Sequence, residues 1–177
     1  MSQEEVKTSS EAKTAPSYEY KEHKTLNNLR LLSHSNKGPA IYNLSCNGNA
    51  IETMVKEEGF PEYPGAELAK FSPINGATYA VVTFDGIKFV DIASKKEVLS
   101  IPKKGIIALE WSPLENYVIS CEKYKEGSKN LNIWDAKTGK LLQELEWKNT
   151  AKDGPKSIKF DPEEKFCARQ IGKNIIE

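Results

Sequence analysis

A short motif that recurs three times constrains the fold of this chain more than any other feature of its sequence. An aromatic residue is followed by serine or aspartate and then by proline, in Phe71-Ser72-Pro73, Trp111-Ser112-Pro113 and Phe160-Asp161-Pro162, at spacings of 40 and 49 residues. Each copy follows a run of alternating apolar and polar residues and precedes a polar turn and a second strand-like run. This periodicity indicates one repeated supersecondary unit that buries its apolar face against its neighbours.

Two of the repeats continue into a third and a fourth strand-like run. The third run ends in aspartate, at Phe89-Val90-Asp91 and at Ile133-Trp134-Asp135, and the fourth follows directly. Four strands in about 40 residues, with Trp-Asp at the end of the third, are typical of one blade of a WD-repeat β-propeller. The sequence therefore predicts an all-β fold, a partial WD40-like β-propeller with about three blades of four-stranded antiparallel sheet.

Each residue type in the repeat has a physical role in such a blade. We expect the aromatic residue to end the inner strand and pack between neighbouring blades, and the proline to stop that strand and preset the turn. Trp134 is expected to fill space between sheets, and Asp135 to accept hydrogen bonds from N–H groups of the next turn. The predicted structural residues are Phe71, Pro73, Trp111, Pro113, Trp134, Asp135, Phe160 and Pro162.

Turn signals and composition divide the chain. Asn47-Gly48 and Asp85-Gly86 each lie between two apolar runs and predict β-hairpins. The predicted blades cover residues of about 29–56, 66–102, 105–147 and, incompletely, 156–177. Because a propeller ring needs typically 4–8 blades, and the sequence stops inside a strand pattern, we expect a piece of a longer propeller. Residues 1–28 hold few large aliphatic side chains, so they are predicted to form a disordered tail.

The charge balance limits how this chain can bind nucleic acid. It has 25 lysine and arginine residues and 25 aspartate and glutamate residues, whereas a domain that wraps nucleic acid is usually strongly basic. Any contact with RNA must therefore come from a local patch. The candidate residues are Lys103, Lys104, Lys123, Lys125 and Lys129, which lie in two loops of the predicted blades. The alternative is that these lysines only keep the protein soluble and are offset by Glu122 and Glu126.

The motifs of catalysis and cofactor binding are missing from the sequence. There is no phosphate-binding P-loop, and neither His23 nor His34 has metal-ligand spacing. The three cysteines, Cys46, Cys121 and Cys167, are odd in number and far apart, which favours reduced, partly buried thiols. No apolar run is long enough for a membrane span or a signal peptide, so we expect a cytoplasmic protein without a membrane partner. Because the motifs above are missing, we also expect that it is not an enzyme and has no cofactor or metal.

Residues 66–177 resemble the N-terminal propeller region of the eukaryotic translation initiation factor 2A family. The similarity depends on Ala108 to Pro113, on Asn130 to Gly139 and on the Phe166-Cys167-Ala168-Arg169 segment, which generic WD repeats lack. The resemblance implies binding to the small ribosomal subunit and to initiator methionyl-tRNA, together with mRNA and other initiation factors. In this family much of the tRNA and mRNA binding is attributed to segments beyond the N-terminal blades.

Three alternatives remain at the level of the sequence. The propeller of initiation factor 3 subunit b has a similar Trp-Ser-Pro and Trp-Asp pattern, although an RNA-recognition domain usually precedes it and none occurs here. A generic WD scaffold would hold protein partners only. A truncated product would leave strand edges and apolar surfaces uncovered, and it would self-associate or be degraded.

Overall fold

All regular structure in the described part of the chain is β-strand. The computed structural model describes residues 29–35, 37–47, 50–66, 68–148 and 158–169. The strands are β1 (Leu29–Ser35), β2 (Gly38–Asn47), β3 (Ala50–Lys56), β4 (Leu68–Phe71), β5 (Thr78–Val82), β6 (Ile87–Asp91), β7 (Lys96–Ile101), β8 (Ile106–Trp111), β9 (Tyr117–Glu122), β10 (Leu131–Asp135), β11 (Leu141–Leu145), β12 (Ile158–Phe160) and β13 (Cys167–Arg169). The all-β prediction is confirmed. Among these residues no helix is long and apolar enough to cross a membrane.

The strands form four antiparallel sheets, which we number as blades along the chain. Blade 1 has the order β1-β2-β3, blade 2 the order β4-β5-β6-β7, and blade 3 the same meander from β8 to β11. Blade 4 is represented by the pair β12-β13. Blades 2 and 3 even share an irregularity, because the pairing of the third and fourth strands shifts register at Phe89/Val90 and at Ile133/Trp134. The prediction of a partial β-propeller is confirmed, while the predicted tail at residues 1–28 lies outside the described residues.

The core lies mainly between the blades, because the central strands of blades 2 and 3 are buried on both faces. In β5, Ala80 and Val82 face blade 3, whereas Tyr79 and Val81 face blade 1. Between blades 2 and 3, Phe89 packs with residues that include Leu109 of blade 3. Each such fully buried side chain stabilises the fold by about 1.5–3 kcal/mol. Neighbouring blades therefore stabilise each other through the same strands that hold each sheet together.

The motif tryptophan of blade 3 joins two blades directly. The Trp111 ring lies edge-to-face on Phe89, with 5.5 Å between the ring centroids, and its Nε1–H donates to the Lys70 carbonyl oxygen at 3.2 Å. At the next junction, the ring of Phe160 stacks on that of Tyr117 with centroids 6.3 Å apart. The structure thus places these two motif aromatics between blades. Beside them, Lys70 and Glu110 form an ion pair between the inner strands of blades 2 and 3.

The Trp-Asp pair closes blade 3 in two ways. Trp134 is buried, and its Nε1–H donates to Ser120 Oγ at 2.8 Å. Asp135 Oδ1 accepts the backbone N–H groups of Lys137 at 3.0 Å and Thr138 at 2.7 Å. The Thr138 hydroxyl also donates to Asp135, and this hydrogen bond is the main reason that the pKa of the carboxyl is lowered. Asp135 is thus held as a carboxylate that accepts hydrogen bonds from its own turn.

Glutamates in two motif turns connect consecutive blades. Glu115 Oε1 of blade 3 accepts the N–H of Ile74 in blade 2 at 2.8 Å. Glu164 of blade 4 accepts the N–H of Leu114 through one oxygen and the Asn116 Nδ2–H through the other, at 2.9 Å. Both glutamates have left-handed backbone conformations, with φ of 63° and 55°. Each carboxylate therefore reaches back to the preceding blade and satisfies a turn N–H there.

Candidate functional site

The connections between strands lie at two opposite rims of the blades, because consecutive connections of an antiparallel meander alternate between its two ends. One rim, the loop rim, comprises residues 83–86, 102–105 and 123–130, which join β5 to β6, β7 to β8 and β9 to β10. The opposite rim, the turn rim, comprises residues 72–77, 92–95, 112–116, 136–140 and 161–166. All five lysines predicted as RNA-binding residues lie on the loop rim.

The three segments of the loop rim form one continuous surface. Gly86 allows the first segment to approach the second, because a Cβ atom at this position would clash with the carbonyl oxygen of Ile101. Lys103 Nζ then lies 3.0 Å from Glu122 Oε1 and 3.9 Å from Glu144 Oε1, at the base of the third segment. The structure therefore brings loops from blades 2 and 3 together.

The five lysines differ in how their charges are used. Lys103 is half-buried between Glu122 and Glu144, so its charge is compensated within the protein. Lys104, Lys123, Lys125 and Lys129 are exposed, and among the described residues no carboxylate lies within ion-pair distance of them. Of the two glutamates predicted to offset the lysines, Glu122 instead binds Lys103 and accepts the Nδ2–H of Asn132 at 2.8 Å. Four of the five lysines therefore present ammonium groups that have no ion-pair partner among the described residues, although Glu126 lies in the same loop as three of them.

The loop that carries three of these lysines is anchored at its base and braced at its tip. Asn130 is buried, its Oδ1 accepts the Trp147 N–H at 2.8 Å, and its Nδ2–H group donates to the Trp147 and Glu122 carbonyl oxygens. Ser128 Oγ donates to the Lys125 carbonyl oxygen at 2.6 Å and accepts the Lys125 N–H at 3.1 Å. This bracing limits the conformational entropy that the loop loses when it binds a partner.

Tyr124, which lies between two of the lysines in the sequence, binds a carboxylate of the neighbouring strand end. Its hydroxyl donates to Glu146 Oε1 at 2.8 Å, and this hydrogen bond to a carboxylate is the main cause of a raised pKa. The phenol therefore stays protonated at neutral pH. It braces the loop against the strand end that carries Glu146.

Phe84 is the member of the loop rim that sequence reasoning missed. Its side chain is 85% exposed, and the ammonium of Lys104 lies 5.2 Å from the ring centroid. The residue belongs to a β-rich, mostly apolar run, Thr78 to Phe84, which predicts a continuous strand. The strand instead ends at Val82, and Phe84 stands in the turn. Its position directly before Asp85-Gly86 is the sequence signal that could have identified it.

The described residues hold no group of three or more His, Cys, Asp or Glu side chains that could bind a metal ion. His23 and the side chain of His34 fall outside what the structure describes. Cys121 is buried, and burial raises the pKa of its thiol to about 11, so the thiol stays protonated. The prediction of a partly buried thiol is wrong for Cys167, which is exposed in β13, where no other described strand pairs with this strand besides β12.

Comparisons with known proteins bear on the fold alone. No family model and no curated protein matches this sequence. A crystal structure of a eukaryotic initiation factor is similar, with a TM-score of 0.65 and 22% identity over 81% of this chain and 35% of that chain. The hydrazine synthase of Kuenenia stuttgartiensis has a TM-score of 0.48 and 14% identity, over 87% of this chain and 45% of that chain. This similarity is too low to support any conclusion. This chain thus spans about a third of the initiation factor that it matches and shares the fold of that part.

Proposed function

We propose that this chain is a binding module of translation initiation, active in the cytoplasm, which associates with the small ribosomal subunit through the loop rim and performs no catalysis. The observation that carries the proposal is the group of four exposed lysines, Lys104, Lys123, Lys125 and Lys129, for which the described residues provide no carboxylate partner. The similarity to the structure of a eukaryotic initiation factor supports the choice of pathway.

The physical basis is local charge on a neutral protein. The whole chain has no net charge, so long-range attraction to RNA is weak. Where lysines are concentrated on one rim, each phosphate that they neutralise releases condensed counterions, and the affinity then falls steeply with salt. The proposal therefore predicts salt-dependent association through the loop rim. Initiator tRNA, mRNA and other initiation factors are further proposed partners, for which the loop rim is not proposed as the main binding surface.

Charge reversal tests the proposal. The variant with Lys123→Glu, Lys125→Glu and Lys129→Glu is expected to lose most of its co-sedimentation with purified small subunits and to show a flatter dependence on salt. The matched control reverses three exposed lysines near the turn rim, with Lys96→Glu, Lys137→Glu and Lys140→Glu, and it should co-sediment like the wild type. Equal co-sedimentation of both variants would contradict the proposal.

The balance of acidic and basic residues favours a second candidate, a WD scaffold that binds proteins alone. The two functions differ in their response to nuclease. Association with the small subunit through RNA should be lost after limited RNase treatment, whereas association through ribosomal proteins or a scaffold partner should persist. Sedimentation profiles with and without RNase distinguish the two candidates.

A further inference from the structure

Phe84 is exposed without any role in the fold that explains it. The turn that carries it is held by its neighbours, because the Thr83 N–H donates to the Gly86 carbonyl oxygen at 2.7 Å and the Thr83 hydroxyl donates to Asp85 Oδ1 at 2.5 Å. The phenyl ring takes no part in these bonds and is 85% exposed. Placing a large apolar ring in water forgoes the stabilisation that burial would give.

A cation lies over the ring. Lys104 Nζ lies 5.2 Å from the Phe84 centroid, within the range of a cation–π contact. An exposed fraction of 85% leaves the opposite face of the ring open. Phe84 and Lys104 thus combine an accessible π-face with an ammonium group a few ångströms away.

The carboxylate of the same turn, Asp85, is bound by other groups. Asp85 accepts the Thr83 hydroxyl at 2.5 Å, and its other oxygen lies 3.3 Å from Lys88 Nζ. The hydrogen bond from Thr83 is the main reason that the pKa of Asp85 is lowered, so the group is a carboxylate compensated by Lys88. The charge left beside the ring is that of Lys104, and the loop of Lys123, Lys125 and Lys129 continues the same rim.

The residues around Phe84 favour an RNA base over an apolar protein surface as the group that contacts its ring. Protein hot spots cluster with other apolar side chains, whereas Phe84 is the sole exposed large hydrophobic residue among the described residues of the loop rim. An exposed aromatic ring beside lysines is instead typical of surfaces that bind single-stranded nucleic acids, where bases stack on the ring and lysines contact the phosphates.

We infer that Phe84 is a stacking platform for an unpaired base of single-stranded RNA, and that Lys104 contacts a phosphate next to that base. The inference rests on the proposed function, since it specifies what the loop rim meets in its RNA partner. Stacking does not require a particular base, because every base has a π-face. The site should therefore bind single-stranded RNA with little sequence preference and should bind duplex RNA more weakly.

The test uses the 177-residue chain and a fluorescent single-stranded oligouridine of about 12 nucleotides, which is within the site sizes of such surfaces. Phe84→Ala should weaken binding by about 10-fold, the loss expected for one stacked base. The slope of log Kd against log salt should stay unchanged, because the ring carries no charge. Phe84→Trp should retain the affinity, and its indole fluorescence should be quenched when RNA is added.

The matched control is Phe166→Ala, which removes a similarly exposed phenyl ring (76% exposed) from the turn rim. This variant should leave the RNA affinity unchanged. Lys104→Gln should both weaken binding and reduce the salt slope. Binding by Phe84→Ala that equals the wild type would overturn the inference, as would a wild type that does not bind oligouridine at low salt. In either case a co-sedimentation loss in the Lys123, Lys125 and Lys129 reversal would still uphold the proposed function.

Discussion

The two rims of this protein use their charged residues in opposite ways. On the turn rim, the carboxylates of Glu115 and Glu164 accept N–H groups of the preceding blade. On the loop rim, Lys123 and Lys125 project from a braced loop, and no described carboxylate pairs with them. The turn rim therefore uses its carboxylates to hold neighbouring blades together, whereas on the loop rim Lys103 pairs with Glu122 and Glu144 and the other four lysines keep their charge available for a partner.

The difference shows how a repeat separates stability from binding. Each blade contributes connections to both rims, so the same supersecondary unit supplies an inter-blade contact at one end and a variable loop at the other. Exposed loops on a rigid scaffold are the positions where binding residues are expected. Substitutions on the turn rim should thus change stability, and substitutions on the loop rim should change binding.

The largest effect on stability is expected for Glu164→Ala. This change removes the acceptor of two donors, the Leu114 N–H and Asn116 Nδ2–H, while alanine meets the same left-handed backbone strain as glutamate. Losing hydrogen bonds to a charged acceptor in a partly buried site should lower the free energy of unfolding by about 2–3 kcal/mol. Urea denaturation measures this loss.

The control for that experiment is Glu163→Ala, because this neighbouring carboxylate is 68% exposed and pairs with Lys165 in solvent. Exposed pairs contribute about 0–1 kcal/mol, so the control should resemble the wild type. If both variants lose the same free energy of unfolding, the hydrogen bonds of Glu164 to blade 3 do not stabilise the protein.

A smaller effect should appear in the acid dependence of stability. Hydrogen bonds from Ser94 lower the pKa of Asp91, and those from Thr138 lower the pKa of Asp135. Because the pKa of each group is lower in the folded state, the stabilisation is present above the ordinary value of about 3.8 and is lost as the pH falls below it. The variant with Asp91→Asn and Asp135→Asn should show a flatter loss of stability below about pH 4. A loss as steep as that of the wild type would show that these turns do not contribute.

The smallest effect on stability is expected on the loop rim. The reversal of Lys123, Lys125 and Lys129 should change the free energy of unfolding by no more than about 0.5 kcal/mol, since exposed residues without partners rarely affect stability. Thermal or urea denaturation measures it beside the binding assay. A large loss would show that the loop rim also stabilises the blades and would end the contrast between the rims.

Local chemistry explains which features the sequence predicts. The turn after Ser112, where the Tyr117 N–H donates to Ser112 Oγ, and the turn after Asp135 depend on neighbours within a few residues, so the blades can be inferred from the repeat. The lysines of the loop rim were found because topology places alternate connections on the same side. Glu164, by contrast, accepts a hydrogen bond from Leu114, 50 residues away in the sequence, and has a left-handed backbone conformation. No local sequence pattern predicts either feature. Phe84 was missed because an aromatic residue at the end of a mostly apolar, β-rich run predicts a buried strand residue.

The most direct test of the central claim, that the loop rim is the binding surface, is lysine acetylation footprinting by mass spectrometry, with and without purified small ribosomal subunits. The account predicts that Lys104, Lys123, Lys125 and Lys129 become protected in the complex, while exposed lysines near the turn rim, Lys96, Lys137 and Lys140, keep their reactivity. Protection of the second group and full reactivity of the first would contradict it.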